Sequence, residues 1–206
     1  IAAVNSFVTD VNSRAKGKDG IYDTADDINH RIAVVGFASQ SGNGNNTELL
    51  SIRGNNSGSV GVAHGSISDQ HLIDVMQDMD TAAGMTMVTN AINALAANGA
   101  TRTDLGLDMA ERILNANPLQ EREKRNRVVT VFSDGSPTNS NSFEEDVANN
   151  AIIKASSIKA AGATMYSIGV FSGADASQDG DKGGSETQKA NWFMHRISSN
   201  QSFPQS

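Results

Sequence analysis

The clearest capacity for chemistry in this chain lies in one acid and a nearby set of hydroxyls. Val128, Val129, Val131 and Phe132 form a nearly continuous β-branched and aromatic run, the pattern of a strand covered on both faces. Ser133, Asp134, Gly135, Ser136, Pro137 and Thr138 then break it with turn-forming residues. Asp134 therefore stands at the carboxyl end of a core strand, where open α/β sheets place their ligands. Upstream, Gly99-Ala100-Thr101-Arg102-Thr103-Asp104 sets two hydroxyls at a helix entrance. A carboxylate with hydroxyls is an all-oxygen donor set, suited to a hard divalent cation.

Asp19, Asp23, Asp26 and Asp27 put four carboxylates into nine residues. The composition is that of a calcium loop, but the spacing and terminal Glu of an EF-hand are absent. An acidic loop exposed to water is the competing reading. Asp175, Asp179 and Asp181 form a weaker version of the same pattern. His30, His64, His71 and His195 share no ligand spacing, and Gly42-Asn43-Gly44 lacks the third glycine of a dinucleotide fingerprint. No nucleophile elbow of the Gly-x-Ser-x-Gly kind occurs, and no Ser-His-Asp set can be assembled. The absence of cysteine excludes disulfides and thiolate metal sites.

These residues need a scaffold, and the hydrophobic pattern describes one. Ile1, Val4, Phe7, Val8 and Val11 recur at helical spacing, which predicts a helix over 1–15. Residues 31–38 read as one strand, hydrophobic on both faces. Residues 39–59 form a long loop rich in Gly, Ser and Asn, holding a short edge strand at 48–52, with another at 60–63. Met85, Val88, Ile92 and Leu95 mark a helix ending at Gly99. Leu105, Met109 and Ile113 mark the next, with Thr103 placed to cap it and Asp104 suited to its positive end. The strand at 127–133 follows. Ser142-Phe143-Glu144-Glu145 has capping-box spacing and opens a helix over 143–161 that closes at Gly162. Residues 163–171 form a third core strand, and a final helix, with Trp192 and Phe193 in the core, runs over 190–199. Strands alternating with helices predict an α/β fold with a mainly parallel sheet.

The bulk numbers narrow the function. Lys plus Arg number 16 against 23 Asp plus Glu, a net charge of −7. That balance argues against nucleic acid as a partner and favours attraction of cations. The short basic cluster Arg122, Lys124, Arg125, Arg127 is interleaved with Glu121 and Glu123 and reads as a solvated loop. No apolar run approaches the length of a membrane span, so no membrane insertion by this chain is expected.

The stretch Arg127 to Thr138 resembles the hydrophobic strand ending in Thr-Asp-Gly of von Willebrand factor type A domains, also called integrin I domains. Gly99 to Gly106 resembles their Gly-x-Thr-x-Thr segment. Residues 166–170 look like the next strand, 31–37 like the second strand and 1–11 like the first helix. The long loops and residues 191–200 are most similar to type A domains of Gram-positive surface proteins and pilus-tip adhesins. The resemblance covers nearly the whole chain. It implies a doubly wound, mainly parallel sheet with helices on both faces, and a metal-ion-dependent adhesion site holding Mg²⁺, or Mn²⁺ or Ca²⁺. Thr101 and Asp134 match the family's metal ligands. Thr103, Ser133 and Ser136 are candidates to stand behind them, with capping or turn duty as the alternative.

The sequence departs from the family in lacking Asp-x-Ser-x-Ser, which supplies further ligands ahead of the first helix. The expectation is one type A domain over 1–206, trimmed at both ends, without its first central strand and its last strand and helix. The implied function is a non-enzymatic adhesion module on a bacterial surface, cell-wall or pilus associated. Its partner is a host or matrix protein, bound through an acidic residue. Independently of the resemblance, the carboxylates of Asp19, Asp23, Asp26 and Asp27 are a candidate site for an additional Ca²⁺, with a solvated acidic loop as the alternative. Two alternatives stand beside the adhesion reading. One is a structural stalk or pilus unit with a vestigial site. The other is a haloacid dehalogenase-like phosphohydrolase, which needs a second Asp where Ser136 stands.

Overall fold

The computed structural model describes residues 1–38, 48–49, 62–63, 67–95, 100–119, 126–134, 136–139 and 142–199. The chain divides into two compact units, Ile1–Gly36 with Thr47–Ala97, and Phe37–Asn46 with Asn98–Ser206.

In the first unit, α1 (Ala2–Ala15) forms where the helical apolar period predicts it. It is followed by short strands β1 (Arg31–Ile32), β2 (Val35–Gly36), β3 (Glu48–Leu49) and β4 (Val62–Ala63), then α2 (Asp69–Asp74), β5 (Gln77–Asp78) and α3 (Ala82–Asn93). The single strand expected over 31–38 is split, because the chain changes partners. β1 pairs antiparallel with β5, whereas β2 pairs antiparallel with β3. β3, expected at an edge, lies between β2 and β4. Val8 and Ala15 of α1 pack with Met79, Val88 and Ile92. Asn12 is buried beneath α1 and donates to the Met79 carbonyl at 2.6 Å. The α3 helix ends at Asn93, with Ala94 as its C-cap; the expected cap at Gly99 lies outside the described residues.

The second unit holds α4 (Thr103–Ala116), β6 (Val128–Ser133), α5 (Glu145–Ala160), β7 (Thr164–Gly169) and α6 (Glu186–Ile197). β6 and β7 pair in parallel over their full length, from Val128 opposite Thr164 to Ser133 opposite Gly169. This is the one parallel pairing among the described residues, and it agrees in sense with the parallel sheet read from the sequence; the described pairings of the first unit are antiparallel. Among the described residues, helices pack on one face of the β6–β7 pair. Val131 and Met165 point into a cluster with Leu107 of α4, Ala151 and Ile158 of α5, and Phe193 and Ile197 of α6. All three helices feed that one cluster, which leaves Val128, Tyr166, Ile168 and Val170 exposed.

The ends of α5 and α6 also differ from the capping pattern. Glu144, not Ser142, is the N-cap of α5, and its side chain makes no cap bond. α6 starts earlier than the apolar run, at a reciprocal capping box of Ser185 and Gln188. Gly162 does close α5, with φ 88° and its N–H on the Lys159 carbonyl. On the exposed side of α4 and α5, Lys154 bridges Asp108 at 2.8 Å and Glu111 at 2.9 Å. No described helix is long and apolar enough to cross a membrane.

Candidate functional site

The sheet delivers Asp134 to the carboxyl end of β6, where the chain leaves the strand and turns. Its side chain is exposed. No hydrogen bond engages its carboxylate among the described residues. Thr101 lies far away in sequence, on the segment leading into α4. The fold brings the two loops together: the Thr138 N–H donates to the Thr101 carbonyl at 3.0 Å, and the Thr103 N–H donates to the same oxygen at 3.0 Å. The Thr101 hydroxyl is likewise without a hydrogen bond among the described residues. An exposed carboxylate and a half-buried hydroxyl thus belong to loops that are bonded to each other.

Thr103 does not cap α4. Arg102 takes the N-cap place, and Thr103 falls inside the first turn. The Thr103 side chain is 1% exposed, and its hydroxyl has no partner among the described residues. A buried polar group left this way costs about 1–3 kcal/mol. Ser133 is buried at the last position of β6, and its carbonyl accepts the Val170 N–H at 2.8 Å. Ser136 turns its hydroxyl toward the Glu186 carbonyl at 3.5 Å.

The loop after β6 is framed by three helix N-termini. Besides the Thr101 contact at α4, the Glu144 N–H at α5 donates to the Pro137 carbonyl at 2.9 Å. At α6, Ser136 meets Glu186, whose carboxylate accepts the Phe143 N–H at 3.1 Å. Lys189, and then the Phe143 amide, hold the Glu186 carboxyl below the usual carboxylate range. Helix N-termini carry partial positive charge, so this end of the unit favours acidic groups, whether Asp134 or a carboxylate arriving from outside.

One pair near the loop was not legible in the sequence. Arg102 grips Asp104 with two parallel bonds, Nε to Oδ1 at 2.8 Å and Nη2 to Oδ2 at 2.7 Å. The Asp104 hydrogen bond raises the guanidinium's pKa against the opposing cost of burial, and Glu144 adds to the same effect. Arg102 Nη1 also reaches Asn139 Oδ1 at 3.4 Å.

The second acidic site lies in the first unit. After α1 the loop curls through Gly17 and Gly20, both at positive φ. Oxygens of Asp19, Asp26 and Asp27 come within 4.8 Å of one another. Asp23 is not part of that group; its backbone turns at φ 61°. Lys18 N–H donates to Asp26 Oδ2 at 2.6 Å, and Thr24 N–H donates to Asp27 Oδ2 at 3.1 Å. The Lys18 amide, then the Thr24 hydroxyl, draw the Asp26 carboxyl below its ordinary range. Asp80 is pushed the other way, first by burial and also by the charges of Asp78, Asp27 and Asp23. Asp175, Asp179 and Asp181 form no such group among the described residues; Asp175 and Asp181 accept amides of their own turns.

No curated protein and no solved structure matches the chain. A family model, the von Willebrand factor type A domain, matches residues 49–203. That family has a Rossmann-like α/β fold, with which the helices and the small parallel sheet agree. Its domains are generally non-enzymatic modules for protein–protein interaction, often bind a divalent metal, and are typically extracellular or secreted. The match takes in both loops that meet at Thr101 and Thr138 and spans well over half of the sequence, and on that ground the chain belongs to the von Willebrand factor type A domain family.

Proposed function

We propose that this domain is an adhesion module that binds a partner protein through a cation held between Thr101 and Asp134. The carrying observation is the Thr138–Thr101 bond, which joins the two loops while the Thr101 hydroxyl and the Asp134 carboxylate have no hydrogen bond among the described residues. The donors are all oxygen, which fits Mg²⁺, Mn²⁺ or Ca²⁺ rather than a soft metal. The buried, unpartnered Thr103 hydroxyl fits a place behind the ligands, where a water or ligand oxygen would satisfy it. A bound ion of this kind supplies an electrophilic bridge to a carboxylate on the partner. Asp134 neutralises part of its charge, Thr101 adds a neutral oxygen, and the helix N-termini around the loop favour the incoming acid. The proposed setting is extracellular, on a bacterial cell surface in the cell wall or a pilus, with a host or matrix protein as partner.

Two protein donors are few for a cation that takes about six oxygens. Weak uptake is therefore expected, in the range of about 10⁻⁴–10⁻³ M seen for open extracellular sites. Mn²⁺ titration followed by solvent proton relaxation, with Mg²⁺ as competitor, measures it. No relaxation enhancement above that of free Mn²⁺, at millimolar Mn²⁺, would sink the reading. The same donor count favours the second reading, a stalk or pilus unit with a vestigial site, whose signature is assembly unaffected by chelator.

We also propose Ca²⁺ binding at Asp19, Asp26 and Asp27, on the motif of three converging carboxylates. Calorimetry is expected to show uptake that Asp26→Asn removes and Asp23→Asn leaves intact. Equal heats in wild type and Asp26→Asn would rule it out.

A further inference from the structure

We infer that Arg102, locked by Asp104, is a positioning residue that holds the Thr101 and Asp134 loops at their working separation. The inference rests on the cation-site reading above and adds to it the element that sets the site's geometry.

Arg102 sits directly after Thr101, yet its side chain does not run into solvent. It folds back on Asp104, which is held in the first turn of α4 and is itself 6% exposed. The two-pronged bond fixes the plane of the guanidinium. In that plane Nη1 reaches across to Asn139, in the segment that follows Asp134. The Thr138–Thr101 backbone bond crosses the same gap one residue away from each end of that contact. These two bonds both span the loops. The backbone bond is available to any sequence, whereas the side-chain bond needs an arginine with its fork pinned. Lysine cannot take both Asp104 oxygens and Asn139 in one plane. Asp104 is also placed where the helix N-terminus favours a negative charge, so its orientation costs little to maintain.

The test uses the full chain and three variants, Arg102→Gln, Arg102→Lys and the double variant Arg102→Gln with Asp104→Asn. The double variant keeps the experiment usable if Arg102→Gln, which strands the buried Asp104 carboxylate, fails to fold. Two readouts are taken: amide hydrogen exchange resolved at Thr138, and Mn²⁺ affinity. Thr138 is expected to exchange about tenfold faster in each variant, while Val131 and Phe132 within β6 keep their protection. Mn²⁺ affinity is expected to fall about tenfold or more, as for other residues that orient metal ligands, with Arg102→Lys failing to restore it. A merely structural role would raise exchange through β6 as well, and that result overturns the inference. Wild-type Mn²⁺ affinity in Arg102→Gln, or an unchanged Thr138, also overturns it. If the wild type itself takes up no Mn²⁺, the cation-site reading fails and this inference fails with it, whatever Thr138 does.

Discussion

Phe193→Ala is expected to destabilise the second unit by about 3–5 kcal/mol, the cost of emptying a fully buried aromatic site. Phe193 is 0% exposed and lies on α6 among Val131, Met165, Ile158 and Ile197, at the junction of strand and helix layers. Among the described residues only one face of the β6–β7 pair is covered, and this cluster is the one that covers it. The neighbours cannot collapse freely into the gap. α6 is tied at its start by the Ser185–Gln188 box, and at its end Lys159 donates to the Arg196 and Ser198 carbonyls. The adjacent Trp192 is the only tryptophan in the chain, so its fluorescence reports unfolding of this unit. In urea, with a slope of about 2 kcal/mol/M, the midpoint should fall by roughly 1.5–2.5 M. Phe193→Leu should lose much less, because it keeps volume in the same place. A midpoint shift equivalent to less than about 1 kcal/mol for Phe193→Ala would mean that α6 is not seated on the sheet as described.

The same cluster explains why some of the fold was legible and some was not. β6, β7 and α1 follow from local pattern alone: an unbroken β-branched run, a second such run, and apolar residues at helical spacing. Gly162 was readable because a positive φ at a helix end selects glycine. The failures occur where tertiary partners outbid local signals. Ser142 to Glu145 has capping-box spacing, yet the Phe143 N–H goes to Glu186 and the Glu144 N–H goes to Pro137, so α5 begins only at Glu145. The apolar run at 31–38 reads as one core strand, but the two halves find different partners in β5 and β3. At the candidate site, local pattern puts Asp134 just after a strand and Thr101 just before a helix, and they lie there in the fold; their pairing as ligands comes from the family resemblance alone. The Arg102–Asp104 fork was not legible, because no periodicity marks a side chain that folds back two residues. In the acidic loop, composition identified all four carboxylates, but only backbone geometry separates Asp23 from the three that converge.

Asp134→Asn is expected to abolish Mn²⁺ uptake by the second unit while leaving its urea midpoint unchanged within about 0.5 kcal/mol. The amide has nearly the shape of the carboxylate, and the side chain is exposed with no hydrogen bond to lose among the described residues. What disappears is the negative charge, and a hard cation with so few protein donors depends on it. Thr101→Val is the graded companion. It removes one neutral oxygen without changing side-chain shape, and both backbone bonds at the Thr101 carbonyl remain. Water can take the vacated coordination position, so its loss should be nearer about tenfold, or 1.4 kcal/mol. The order Asp134 above Thr101, with stability constant, distinguishes a cation site from two loop residues that merely hold a turn. Asp26→Asn supplies the control, since Asp19, Asp26 and Asp27 belong to the other unit and offer a competing home for the ion. If Mn²⁺ uptake survives both Asp134→Asn and Thr101→Val but falls in Asp26→Asn, the cation belongs to the acidic loop, and the stalk reading of the domain then takes precedence over the adhesion one.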